Sequence, residues 1–131
     1  MSAYLGIALG TALGGAARYG MGSLVATWLG AGFPWGTLFV NVTGSLAIGF
    51  FNTLTEPDGR FFVPARWRQF FMTGVCGGYT TFSAFSLETV ELIEHGRGAA
   101  AAGYALASFA TCLIAVWIGH MLAASLNRLK T

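Results

Sequence analysis

Apolar positions fill most of the chain, and polar positions act as its punctuation. No side chain carries a full charge within residues 19–55, 69–87 or 98–127. A helix crossing a bilayer needs roughly 20 mostly apolar residues; only Arg18 interrupts residues 1–55, so that stretch and the two later runs leave room for four spans. The predicted spans are about 4–29, 35–54, 67–94 and 99–126. Gly30–Ala31–Gly32–Phe33–Pro34 separates the first two. A polar loop over 55–66, with Pro57, Gly59 and Pro64, follows the second, and Gly96–Arg97–Gly98 precedes the fourth. Gly and Pro end helices, so each separator has a physical basis. The third span is predicted to break over about 74–81, where Gly74, Gly77 and Gly78 meet the hydroxyls of Thr80 and Thr81. Irregular backbone at membrane depth survives only when buried in protein or lining a cavity. The reading is one all-α transmembrane domain over 1–131. Its N-terminal stretch is read as the first span and not as a leader, because it lacks a basic start and holds Arg18.

Polar residues inside the spans recur at helical spacing. Gly6, Gly10 and Gly14 stand four apart in span one and predict a face that admits close helix approach. Arg18 and Gly22 continue that register, which puts an intramembrane cation on the packing face; such a residue should meet protein, water or an anion. In span two, Thr37, Asn41 and Ser45 form one stripe, with Gly44 beside it and Asn52 further on. Two readings of the stripe stay open: pore lining, or interhelical hydrogen bonds worth about 0.6 kcal/mol each. Asn41 stands out because its amide needs both donors and acceptors satisfied. Past the break, Phe82 and Phe85 share a face, which alone suggests ordinary packing. Span four aligns Tyr104, Ser108, Thr111, Cys112 and Ala115. Glu88 lies deeper than Glu91 and Glu94 and is expected to be paired. His120 has no neighbour spaced to form a metal site, and Cys76 and Cys112 read as packing residues.

Composition sharpens this. Of 131 residues, 55% are hydrophobic and 9% charged, against about 25% charged in a soluble domain. Mean hydropathy is +0.64. Such values exclude a disordered chain and argue against a soluble globule. A net charge of +2 with scattered basic residues argues against a nucleic-acid module. No catalytic triad, carboxylate pair or phosphate loop is present, so a non-enzyme is expected. The membrane interior offers neutral donors, aromatic rings and one cation, with no acid in spans one, two or four. That suits a small anion better than a cation.

Three segments together resemble the Fluc fluoride channels, also called CrcB-type proteins. The strongest is Gly77–Gly78–Tyr79–Thr80–Thr81–Phe82–Ser83–Ala84–Phe85–Ser86, ending at Glu88. Gly14–Gly15–Ala16–Ala17–Arg18–Tyr19 and Gly36–Thr37–Leu38–Phe39–Val40–Asn41–Val42–Thr43–Gly44 support it, and the likeness spans nearly the whole chain. The resemblance implies a bacterial inner-membrane channel that exports fluoride passively. It implies an antiparallel, dual-topology homodimer with two pores at its interface. It implies that Phe82 and Phe85 line the pores through their positive ring edges and that Asn41 donates its amide to fluoride. It further implies that Ser83, Tyr104 and Ser108 belong to the lining, that Arg18 draws anions into the vestibule, and that the carbonyls of Gly77 and Thr80 from both subunits hold a sodium ion. Two positions depart from the pattern. Ala84 stands where Thr is usual, and Cys112 where Ser is frequent, so two hydroxyls leave the polar track.

Charge distribution pulls against dual topology. Arg60, Arg66, Arg68, Arg128 and Lys130 fall on one predicted side and Arg97 on the other, which by the positive-inside rule favours one orientation. Two other classes fit the size. A small dual-topology multidrug exporter needs an acid in its first span, where only Arg18 is charged. A structural membrane subunit explains the glycine face but neither Asn41 nor the hydroxyl-rich break.

Overall fold

The computed structural model describes residues 2–129; Lys130, counted above among the basic residues, lies outside them. All regular structure among the described residues is helical. Helix α1 spans Ala3–Leu29, α2 Trp35–Leu54, α3 Ala65–Gln69, α4 Gly77–Tyr79, α5 Phe82–Glu94 and α6 Gly98–Arg128; a π-helical stretch, Phe70–Cys76, joins α3 to α4. The Ser2 hydroxyl caps α1 by accepting the Leu5 N–H at 3.3 Å. Gly30, at φ 87°, closes the same helix in a conformation that favours glycine.

The glycine face of α1 is used within the chain. A Cβ on Gly10 would lie 2.5 Å from the Phe70 carbonyl oxygen and 2.9 Å from Gly74 Cα. A Cβ on Gly78 would lie 2.5 Å from the Thr11 carbonyl oxygen. The partner of α1 is therefore the α3–π–α4 segment, with backbone in contact with backbone. Helices α2 and α6 meet the same way, and Cβ atoms on Gly49 and Gly119 would overlap the carbonyl oxygens of Val116 and Leu46.

The break is narrower than the predicted 74–81. Gly74 to Tyr79 keep helical hydrogen bonding, partly π-type, and only Thr80 (ψ 159°) and Thr81 (φ −153°, ψ 119°) are extended. Glycine lowers helix propensity but does not forbid helix. Here the tight packing on α1 holds Gly74 and Gly78 in place, and the chain opens only where Thr81 restarts it as the cap of α5.

Apolar side chains face outward. Leu9, Leu13, Leu106, Phe109, Leu113 and Trp117 are all exposed. Helices α2 and α6 are each long and apolar enough to cross a membrane. Trp28 and Trp35 mark one end of the bundle and Tyr4 and Trp67 the other, as in interfacial aromatic belts. The chain is built as a membrane protein.

Candidate functional site: a neutral cavity at the helix break

The Thr80–Thr81 break is held by one side chain. Asn41 Oδ1 accepts the Thr81 N–H at 2.7 Å, and Asn41 Nδ2 donates to the Thr81 carbonyl at 3.0 Å. The amide thus replaces both backbone bonds that an extended residue inside a bundle would lack. Thr81 Oγ1 accepts the Ala84 N–H at 3.1 Å, which caps α5. In an unbroken α-helix the N–H of Thr81 would bond Gly77, and that of Ala84 would bond Thr80. Both donors are taken elsewhere, so the break releases the carbonyls of Gly77 and Thr80. Gly44 makes the geometry fit, since a Cβ there would overlap the Thr80 methyl.

Beside the break lies a cavity of about 320 Å³. Its walls include Asn41, Thr80, Phe82, Phe85, Ser108 and Cys112, and none of its lining residues is charged. Phe82 is 69% exposed, whereas Phe85 is 8% exposed. Their rings stand 5.4 Å apart at 48°. Ser108 Oγ is buried and has no hydrogen-bond partner. An unsatisfied buried hydroxyl costs about 1–3 kcal/mol, so an orphan donor in a cavity wall marks a place built to meet a ligand. Asn41 Nδ2 carries a second N–H beyond the one given to Thr81.

A second hydrogen-bonded layer backs this cavity. Thr37 Oγ1 donates to Glu88 Oε1 at 2.7 Å, and the Tyr104 hydroxyl donates to Glu88 Oε2 at 2.7 Å. The pairing expected for Glu88 is thus with two hydroxyls. Tyr104 is 0% exposed and packs 5.0 Å from Phe85 and 5.3 Å from Phe33. It stands behind Phe85 and is not among the residues that line this cavity. On the far side of this layer opens a wider cleft of about 620 Å³ that includes Arg18, Thr37, Glu88, Glu91, His95 and Arg97. Arg18 is half-buried there.

Thr111 and Ser83 lie outside the lining of this cavity. Thr111 is exposed and donates to the Ala107 carbonyl at 2.5 Å, so it turns away from the cavity that Cys112 lines. Ser83 is exposed and bonds Thr81 Oγ1 at 3.2 Å. Gly77, Thr80, Asn41, Phe82, Phe85 and Ser108 come together; Arg18 and Glu88 line the cleft. Sequence reasoning gave Thr81 no role, although its place between a glycine pair and an apolar helix is the usual place for a capping residue.

The family model described as "CrcB-like protein, Camphor Resistance (CrcB)" matches residues 5–120. The chain belongs to the CrcB family. Among its relatives is a protein of Rhodospirillum rubrum, 55% identical over 124 residues, which cover 95% of this chain and 96% of the relative. One from Opitutus terrae is 55% identical over 130 residues, covering 99% and 98%. One from Paramagnetospirillum magneticum is 52% identical over 128 residues, covering 98% and 100%. All three are named fluoride-specific ion channel FluC. The CrcB match takes in all of the cavity and the cleft described above.

Proposed function

We propose that this CrcB-family chain is a fluoride channel, and that fluoride passes along the neutral cavity at the Thr80–Thr81 break. The observation that carries the reading is the uncharged wall with the orphan Ser108 hydroxyl. Fluoride is small and tightly hydrated, so a pore must replace its water without trapping it. A hydroxyl, a spare amide N–H and ring edges do this weakly enough to let the ion leave; each is a fraction of a charge. Arg18, in the cleft, offers the anion a local cationic contact before it reaches the neutral layer. Tyr104 and Glu88 act as positioning residues, because they fix Phe85 and Thr37. No bond is made or broken in conduction, so the chain is no enzyme. Relatives bearing the fluoride-channel name support the ion's identity.

The functional unit is an antiparallel homodimer in the bacterial inner membrane, with multiple passes per subunit and two pores at the interface. The break supplies a fit for a central sodium ion: two released carbonyls per subunit, from Gly77 and Thr80, are hard oxygen donors. When bound, sodium would hold the two breaks together. The basic-residue bias loses force because two of the residues behind it work as caps. Arg68 donates to the Asn52 carbonyl at 3.2 Å and the Thr55 carbonyl at 2.5 Å at the end of α2, and Arg60 donates to the Leu126 carbonyl at 3.2 Å near the end of α6. Cations at helix C-termini are favoured whichever way the helix inserts. The test is expression in a cell lacking its own fluoride exporter: the chain restores growth in fluoride, and a C-terminal reporter appears on both membrane faces. Failure to restore growth in fluoride would remove the fluoride reading, and a single reporter orientation would remove the antiparallel one.

A further inference from the structure

The cavity has one feature that fluoride conduction leaves unused. Cys76 and Cys112 are both free thiols, the first buried and the second half-buried. Cys76 comes from the π-helical stretch and Cys112 from α6, and both line the cavity beside Phe85. Ser108, one helical turn before Cys112, is more than nine-tenths buried with its hydroxyl unpartnered in the same wall. No carboxylate or imidazole lines this cavity. No group of three or more His, Cys, Asp or Glu residues is placed to hold a metal ion among the described residues. The cavity therefore gives a hard divalent cation no charged ligand, while thiols select soft, polarisable metal ions.

We propose that this cavity is also a binding site for a soft d10 metal ion, taken first by the Cys112 thiol, and that its occupancy closes the ion path. The inference rests on the fluoride reading for its functional consequence, though not for the binding itself. Mercuric chloride is the fitting probe, because it is uncharged and can enter an apolar cavity. The step is a ligand exchange with no redox change. Cys112 Sγ loses its proton to water, an Sγ–Hg bond forms, and one Hg–Cl bond breaks to release chloride. The Hg–Cl group left on sulfur projects into a space of about 320 Å³ that Phe85 and Ser108 share. Cys76, on another helix, is the second thiol available to replace the remaining chloride by the same exchange. Cys112 leads because it is the more exposed of the two. A serine hydroxyl at position 112 keeps the size and polarity of the wall but has no affinity for a soft metal.

The experiment uses the purified full chain in liposomes, with each variant compared to its own untreated fluoride efflux. Intact-mass and peptide mass spectrometry report the mercury adduct in parallel. The expected result is a block of roughly tenfold or more in wild type, as for an obstructed pore, an adduct on Cys112, and recovery with excess dithiothreitol. Cys112→Ser and Cys112→Ala keep their own rates in mercuric chloride, and Cys76→Ser stays sensitive. Three results would overturn the proposal: no adduct on Cys112, an adduct there with undiminished flux, or equal block in both Cys112 variants. A chain that conducts no fluoride at all removes the channel reading instead; the metal site is then decided by the adduct alone, standing if mercury maps to Cys112 and failing if it does not.

Discussion

Two helix ends of this bundle, one at its margin and one within it, are finished in opposite ways. At the end of α2, Arg68 closes the terminus: its guanidinium bonds the carbonyls of Asn52 and Thr55, the Asn52 side chain at 2.9 Å and the Thr55 hydroxyl. Thr53 is fixed alongside, by His120 at 2.8 Å and by Asn127 at 2.9 Å. At the Thr80–Thr81 break a neutral amide does the work. Asn41 satisfies Thr81 and leaves the Gly77 and Thr80 carbonyls and the Ser108 hydroxyl uncommitted. One terminus is saturated by a full charge, and the other is held by partial charges with capacity to spare. The difference teaches where ligand chemistry can happen: a closed terminus gives stability, and an incompletely satisfied one gives a surface that an ion can use.

The largest effect is expected from Asn41→Ala, which strips Thr81 of a donor and an acceptor at once. At about 1–3 kcal/mol per unsatisfied group, both thermal stability and fluoride efflux should fall steeply, efflux by roughly a hundredfold. Asn41→Ala with unchanged efflux would detach the break from conduction. Next is Phe85→Ile, which removes a ring edge while keeping an apolar wall. Efflux should drop about tenfold, equivalent to about 1.4 kcal/mol, with a much smaller change in melting temperature. Phe82→Ile should act in the same direction.

Arg68→Met tests the other terminus and should reverse the pattern. Leaving helix carbonyls uncapped should lower the melting temperature by several degrees, at about 1–3 kcal/mol. Fluoride efflux per folded protein should stay near the wild-type rate. The smallest effect is expected from Thr111→Val. Helical periodicity puts Thr111 on the cavity face, but the structure turns it outward, so stability should change by no more than about 0.5 kcal/mol. Loss of efflux in this variant would restore the periodicity reading.

Thr111 and Cys112 show how far the sequence can be read. They are neighbours about 100° apart on one helix. A stripe drawn at helical spacing takes in both, and only the rotation of α6 against α2 separates them. The ends of the long helices were legible because Gly30, Pro34, Pro64 and Gly96 act locally. So was the glycine face of α1, although its partner proved to be the broken segment of the same chain. Asn41 was singled out by its chemistry, but its bond to Thr81 joins positions 40 apart, which no local pattern encodes. The meeting of Thr37, Glu88 and Tyr104 needs three helices in register. The glycine cluster suggested a broad unwound region because glycine weakens a helix. Packing against α1 outweighs that propensity and confines the break to two threonines.

The central claim is that an anion crosses beside the Thr80–Thr81 break by way of neutral groups. Its most direct test is efflux from liposomes holding the purified chain, measured with fluoride and with chloride as the internal anion. Rapid fluoride efflux, little chloride efflux and a sharp loss of fluoride efflux in Phe85→Ile are expected. Equal efflux of the two anions, or fluoride efflux untouched by Phe85→Ile, would contradict it.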